Sequence, residues 1–123
     1  MKKILLLDDN LDIVQIVEEV LAYEGFDVHS TTKCTQFHQV AELYQPDLIL
    51  MDYKLADGHG GELCRAVKAQ ASLNHIPIIL FTAYFEPGMN LFQYGCDEVI
   101  SKPFDLDHLI SAIKKLTGMA MIA

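Results

Sequence analysis

Basic residues are scarce in this sequence: 9 Lys and Arg stand against 17 Asp and Glu, a formal net charge of −8. Affinity for nucleic acid rests largely on Lys and Arg displacing counterions from phosphates, so this balance argues against direct nucleic-acid binding. Long apolar runs are lacking as well. No stretch approaches the roughly 20 residues that span a bilayer. Met1-Lys2-Lys3 leads into only four consecutive apolar residues before two aspartates, too short for a secretory signal. The 3 cysteines, Cys34, Cys64 and Cys96, are odd in number, far apart and without a C-x-x-C pair, which sets aside a disulfide framework and a zinc site. These absences together point to a cytoplasmic protein with no membrane partner.

What is present is an ordinary globular composition, 51% hydrophobic and 21% charged over 123 residues. No linker, internal repeat or low-complexity segment divides the chain, so residues 1–123 read as one domain. Apolar runs too short for helices lie at Ile4 to Leu7, Leu48 to Met51 and Ile76 to Phe81 and read as buried strands. Asp27 to Thr31 and Asp97 to Ser101 are more polar, as edge strands are. Between them runs helical spacing: Ile13, Ile16, Val17, Val20 and Leu21; Phe37, Val40, Ala41 and Tyr44; Leu63, Ala66 and Val67; Leu106, Leu109, Ile110 and Ile113. Asn10 and Asp105 are placed as N-caps, and Gly25 and Gly118 as C-terminal stops. The segment Met89 to Tyr94 has poor periodicity, which predicts a short, irregular fourth helix.

Alternation of strand and helix implies an α/β fold, a doubly wound five-stranded parallel sheet with helices on both faces. With the polar strands at the edges, the order is 2-1-3-4-5. In such a sheet the binding crevice lies beyond the carboxyl ends of the strands. Asp8 and Asp9 follow the first strand, Asp52 the third, Thr82 the fourth and Lys102 the fifth. Carboxylates that close repel one another and stay ionised only beside a cation or an ammonium. An oxygen-rich pocket without Cys or His suits Mg²⁺. A carboxylate is also a competent nucleophile toward phosphorus, and a Lys and a Thr hydroxyl are suited to hold the transferring oxygens.

These pieces, Leu5-Leu6-Leu7-Asp8-Asp9, Leu48-Ile49-Leu50-Met51-Asp52, Phe81-Thr82-Ala83 and Lys102-Pro103-Phe104, are individually weak and jointly specific. In this order and spacing the sequence resembles the receiver domains of two-component response regulators over essentially its whole length, and in particular a chemotaxis-regulator-like single domain with the flavodoxin-like (βα)5 fold. The resemblance implies that Asp52 takes a phosphoryl group from a phosphohistidine and that the acyl phosphate later hydrolyses. It further implies that Asp9, Asp52 and the backbone carbonyl of Lys54 bind Mg²⁺, with Asp8 contributing through water. Thr82 and Lys102 would contact the phosphoryl group, and the Lys102-Pro103 bond would be cis. The implied partners are a sensor histidine kinase or a histidine phosphotransfer protein, and a downstream protein target or a second copy in a homodimer.

Several positions depart from the family. Ala56 stands where Pro is usual and His59 where Asp is frequent before Gly60. Val99 replaces the Tyr or Phe that many members couple to the Thr, and the Thr82-to-Lys102 interval is about one to two residues short. Lys54 and Tyr84, two residues past Asp52 and Thr82, border the pocket in this reading and favour slow autodephosphorylation.

Other functions fit less well. Asp8, Asn10 and Asp12 imitate the start of a calcium loop, but Ile13 fills the glycine position and the bidentate acid is missing. Gly58-His59-Gly60-Gly61 lacks the spacing of a phosphate-cradling loop and reads as a turn. The histidines at 29, 38, 59, 75 and 108 have no metal-ligand spacing. A phosphatase of the aspartyl-phosphate type needs a second carboxylate two residues on, where Lys54 stands. The chain therefore reads as a phosphoacceptor that promotes its own phosphorylation and dephosphorylation, not as an enzyme. The alternative is a phosphorylation-independent receiver-like interaction module, which Val99 and the short fourth helix favour. A stand-alone shuttle would dock its phosphodonor on the first helix, around Ile13 to Leu21, whereas an output module would use the fourth and fifth helices.

Overall fold

The computed structural model describes residues 1–83, 88–102 and 105–118. The expectations for Tyr84 and the Lys102-Pro103 bond fall outside these residues. The chain order is β1 (Lys3–Leu7), α1 (Leu11–Tyr23), β2 (Asp27–Thr31), α2 (Phe37–Tyr44), β3 (Leu48–Asp52), β4 (Lys54–Leu55), β5 (Gly58–His59), α3 (Gly60–Lys68), β6 (Ile78–Thr82), a 3-10 turn (Leu91–Tyr94), β7 (Glu98–Ser101) and α4 (Leu106–Leu116). The main sheet has the order β2-β1-β3-β6-β7, parallel throughout. Counting only its own strands, this is the expected doubly wound 2-1-3-4-5 arrangement, and the fourth helix is reduced to the 3-10 turn.

Every side chain of β3 and β6 is buried, because a parallel sheet covered on both faces leaves a central strand no solvent side. Strand alternation sorts them. Ile4, Leu6, Leu48, Leu50, Ile79 and Phe81 pack beneath α1 and α4 with Val17, Leu21, Leu109 and Ile113. Leu5, Leu7, Ile49, Met51, Ile78 and Leu80 face α2, α3 and the 3-10 turn with Phe37, Ala41, Val67 and Leu91. The edge strands β2 and β7 are only partly covered, as their polarity predicts.

Helix α1 corrects the stripe read from the sequence. Val14, Val17 and Leu21 form its buried face, while Ile16 is 48% exposed. The helix ends fall as expected. The Asn10 side chain accepts from the backbone N–H groups of Asp12 and Ile13, and Asp105 accepts from that of Asp107. Gly25 and Gly118 adopt positive φ just past α1 and α4. Of the cysteines, Cys64 and Cys96 are buried in the core, and Cys34 is half-buried. Burial pushes all three thiols up, to about 11 for Cys34 and Cys96 and about 12 for Cys64. Among the described residues, no helix is long and apolar enough to cross a membrane.

Candidate functional site

The parallel register sets the carboxyl ends of four strands nearly level, with Leu7 beside Met51, Asp52 beside Phe81 and Thr82 beside Ser101. The residues that leave those ends therefore share one rim. Asp8 is fully buried there, Asp52 is 7% exposed and Thr82 is buried, while Asp9 is open to solvent. Lys102 follows β7, and its backbone N–H donates to the Thr82 carbonyl at 2.7 Å, which ties the two strand ends together.

Lys102 organises the charges. Its Nζ lies 3.0 Å from Asp8 Oδ2 and 3.3 Å from Asp52 Oδ2. It also stands 4.8 Å above the centre of the Phe81 ring, a cation–π contact that helps hold the ammonium over the sheet. Asp8 Oδ1 accepts from the backbone N–H of Asn10 at 2.9 Å, so both of its oxygens are engaged. Asp9 Oδ2 accepts from the backbone N–H of Ala56 at 2.7 Å.

Asp52 is driven upward, from its ordinary 3.8 to about 6. Burial is the largest cause and the adjacent Asp8 carboxylate the next; Lys102 and the backbone N–H of Lys54 pull the other way. One carboxylate oxygen from each of Asp8, Asp9 and Asp52 can be chosen so that all lie within 4.8 Å of one another. This cluster of hard oxygen donors matches what a small divalent cation requires.

The segment after Asp52 is folded back tightly. Lys54–Leu55 and Gly58–His59 pair as a two-stranded antiparallel hairpin, Lys54 opposite His59. Gly58-His59-Gly60-Gly61 is thus β5 and the start of α3, not the turn expected of it. His59 is the N-cap, its Nδ1 accepting from the backbone N–H of Glu62 at 3.1 Å. Gly60 donates its N–H to the Tyr53 carbonyl at 2.7 Å. A Cβ on Gly60 would stand 2.0 Å from the carbonyl oxygen of Asp52, so only glycine lets α3 begin against the candidate site. Beside Asp9 lies an open depression of about 430 Å³, lined by Thr32, Lys33, Thr35, Ala56 and Asp57.

The structure thus gathers Asp8, Asp9, Asp52, Thr82 and Lys102 at one end of the sheet. Lys54 contributes through its main chain, and the residue itself is exposed. A sequence model of the response regulator receiver domain matches residues 4–114. The chain belongs to the response regulator receiver family. It is 31% identical over 121 residues to the polar-differentiation response regulator DivK of Brucella ovis, covering 97% of this chain and 98% of that protein. Among solved structures it is similar to the receiver domain of the sensor histidine kinase PA1611 from Pseudomonas aeruginosa, which holds a magnesium ion in its active-site cleft. The TM-score is 0.86 at 30% identity, over 95% of this chain and 98% of that one. The chemotaxis response regulator CheY4 of Vibrio cholerae shares the fold, with a TM-score of 0.86 at 24% identity over 94% of this receiver and 98% of that chain.

Three contributors to the site carry no sequence signal in the residue that supplies them. The N–H groups of Asn10 and Ala56 are main-chain donors, and the Phe81 ring reads simply as core. The missed role with a visible signal is that of Gly60, the first residue of α3 in a glycine-rich stretch that follows the strand carrying Asp52.

Proposed function

We propose that this receiver is a phosphoacceptor switch of a two-component system or phosphorelay, with Asp52 as the acceptor. The observation that carries the reading is the meeting of Asp52 with Asp8 and the Lys102 ammonium, 3.0 Å from one carboxylate and 3.3 Å from the other. A carboxylate oxygen of Asp52 attacks phosphorus; the O–P bond forms as the N–P bond of a phosphohistidine breaks and the imidazole leaves. The competent nucleophile is the ionised form, and with Asp52 pushed up to about 6 it is ionised at neutral pH. Lys102 stands where it meets the incoming negative charge, and Thr82, at the end of the adjacent strand, supplies a hydroxyl for a phosphoryl oxygen.

Asp8, Asp9, Asp52 and the backbone carbonyl of Lys54 would hold Mg²⁺, which neutralises charge on the transferring group when bound. Hydrolysis of the acyl phosphate then resets the switch. The phosphodonor is a sensor histidine kinase or a histidine phosphotransfer protein in the cytoplasm, and the readout is a downstream protein or a homodimer.

The test is incubation with acetyl phosphate and Mg²⁺ followed by intact-mass measurement. The expected result is a Mg²⁺-dependent gain of a single phosphoryl group, absent in Asp52→Asn. No gain from acetyl phosphate or from a phosphorylated histidine donor overturns the reading in favour of a phosphorylation-independent interaction module.

A further inference from the structure

The hairpin that follows Asp52 is fastened at its turn to a different part of the molecule. Asp57, in the turn between β4 and β5, accepts the backbone N–H of Cys34 on both carboxylate oxygens, at 3.0 and 3.2 Å. Cys34 lies in the loop between β2 and α2, 23 residues away in the chain. The two segments are in close contact: a Cβ on Gly58 would stand 2.7 Å from Cys34 Sγ. The residue before Asp57 is Ala56, whose N–H donates to Asp9 Oδ2 at 2.7 Å. A continuous path therefore runs from the β2–α2 loop through the Asp57 carboxylate and the hairpin turn to the carboxylate of Asp9.

We propose that Asp57 is a positioning residue for the metal site: by anchoring the hairpin turn to Cys34 it holds the Ala56 N–H against Asp9 and fixes that carboxylate for Mg²⁺. This rests on the assignment of Asp9 as a metal ligand. Asp9 is exposed, and an exposed carboxylate samples several rotamers unless something engages it. The Ala56 N–H engages Asp9 Oδ2, and one oxygen of that carboxylate lies within 4.8 Å of oxygens of Asp8 and Asp52. Partners that orient a ligating carboxylate are worth about 10- to 100-fold in metal affinity. Asp57 itself works through geometry and does not need to touch the ion.

The deciding measurement is calorimetric titration of the full chain with Mg²⁺, alongside amide hydrogen exchange at Ala56 in metal-free buffer. Asp57→Ala is expected to weaken Mg²⁺ binding about tenfold and to speed exchange at Ala56. Asp57→Asn keeps an acceptor for the Cys34 N–H but removes the charge, and should bind Mg²⁺ within about twofold of wild type. If Asp57→Asn is as weak as Asp57→Ala, long-range charge explains the loss and the inference is overturned. It is likewise overturned if Asp57→Ala binds Mg²⁺ normally. A wild-type chain that takes up no Mg²⁺ overturns the metal reading and this inference with it.

Discussion

Lys102 bridges Asp8 and Asp52, its ammonium 3.0 Å from the first and 3.3 Å from the second, and Asp8 has no solvent exposure at all. The ammonium thus occupies the position of a counter-cation in a cluster that would otherwise be purely acidic. Removing it leaves a buried carboxylate uncompensated, which costs more than the pair itself contributes. Lys102→Ala should lose about 2–3 kcal/mol in metal-free buffer, below the range for a fully buried pair because the Lys102 side chain keeps 15% exposure. Saturating Mg²⁺ should recover part of that loss, since a bound cation supplies the missing positive charge. Urea unfolding with and without Mg²⁺ measures both; a loss indifferent to Mg²⁺ would show that Lys102 acts by packing alone.

Asp52 carries a cost of its own. Its carboxyl is raised from 3.8 to about 6 by burial and by Asp8, so the fold favours the protonated form. The stability this group contributes is complete below its unfolded value and is lost as pH rises through the folded one. Asp52→Asn, neutral at every pH, should therefore be more stable than wild type at about pH 7 by about 1–2 kcal/mol, the shift being discounted for water reaching the open cleft. The advantage should vanish near pH 4. Denaturation midpoints of the two proteins across this window, without metal, test the sign; an advantage that grows toward acid pH would contradict the stated cause.

Gly60 tests how closely the fold is built around the site. A methyl group there would meet backbone, not a flexible side chain: the Asp52 carbonyl oxygen at 2.0 Å and the Tyr53 Cα at 2.9 Å. Relief requires α3 to withdraw, breaking the Gly60-to-Tyr53 hydrogen bond. Gly60→Ala should destabilise by more than about 3 kcal/mol. Gly61→Ala should cost less, because the atoms a Cβ meets there belong to the side chains of His59 and Tyr94. A chemical-denaturation comparison of the two variants that ranked them the other way would mean that the α3 terminus is more yielding than its contacts imply.

How much of this was legible follows from what kind of group does each job. Asp8, Asp52 and Thr82 stand out because a doubly covered parallel sheet makes its central strands apolar, so the first polar residue marks where each strand leaves the core, whereas Lys102 follows the polar edge strand β7 and is legible only through the Lys102-Pro103-Phe104 motif. The donors to Asp8 Oδ1 and Asp9 Oδ2 are backbone N–H groups, which every residue but proline carries, and residue type does not reveal them. In α1 the large aliphatic residues fall at 11, 13, 14, 16, 17, 20 and 21, forming two overlapping stripes. Contact with the sheet chose the one holding Val14 and left Ile16 outside. The glycines at 58, 60 and 61 signal a missing side chain but not which neighbour needs the space, so their pattern alone reads as a turn.

Val99 lies half-buried against the same side of the core as Tyr53 and Tyr94. Tyr53, the residue after Asp52, and Tyr94 of the 3-10 turn bring aromatic rings to that side. Tyr94 contacts the Tyr53 ring at 6.0 Å and the His59 ring at 5.6 Å, with the Arg65 guanidinium 4.9 Å from its centre. The hydroxyls of Tyr53 and Tyr94 are 3.5 Å apart, at the outer limit of a hydrogen bond, so the ring should matter and the hydroxyl should not. Tyr94→Phe is expected to change stability by less than about 0.5 kcal/mol. Tyr94→Ala should lose about 2 kcal/mol, as two ring contacts and a cation–π contact disappear together. Since Tyr53 adjoins Asp52, Tyr94→Ala should also raise hydrogen exchange across Leu91–Tyr94 and at the amide of Tyr53, which donates to the Phe81 carbonyl at 2.9 Å. Faster exchange confined to the 3-10 turn would show instead that the aromatic cluster anchors only that turn and stops short of the strand carrying Asp52.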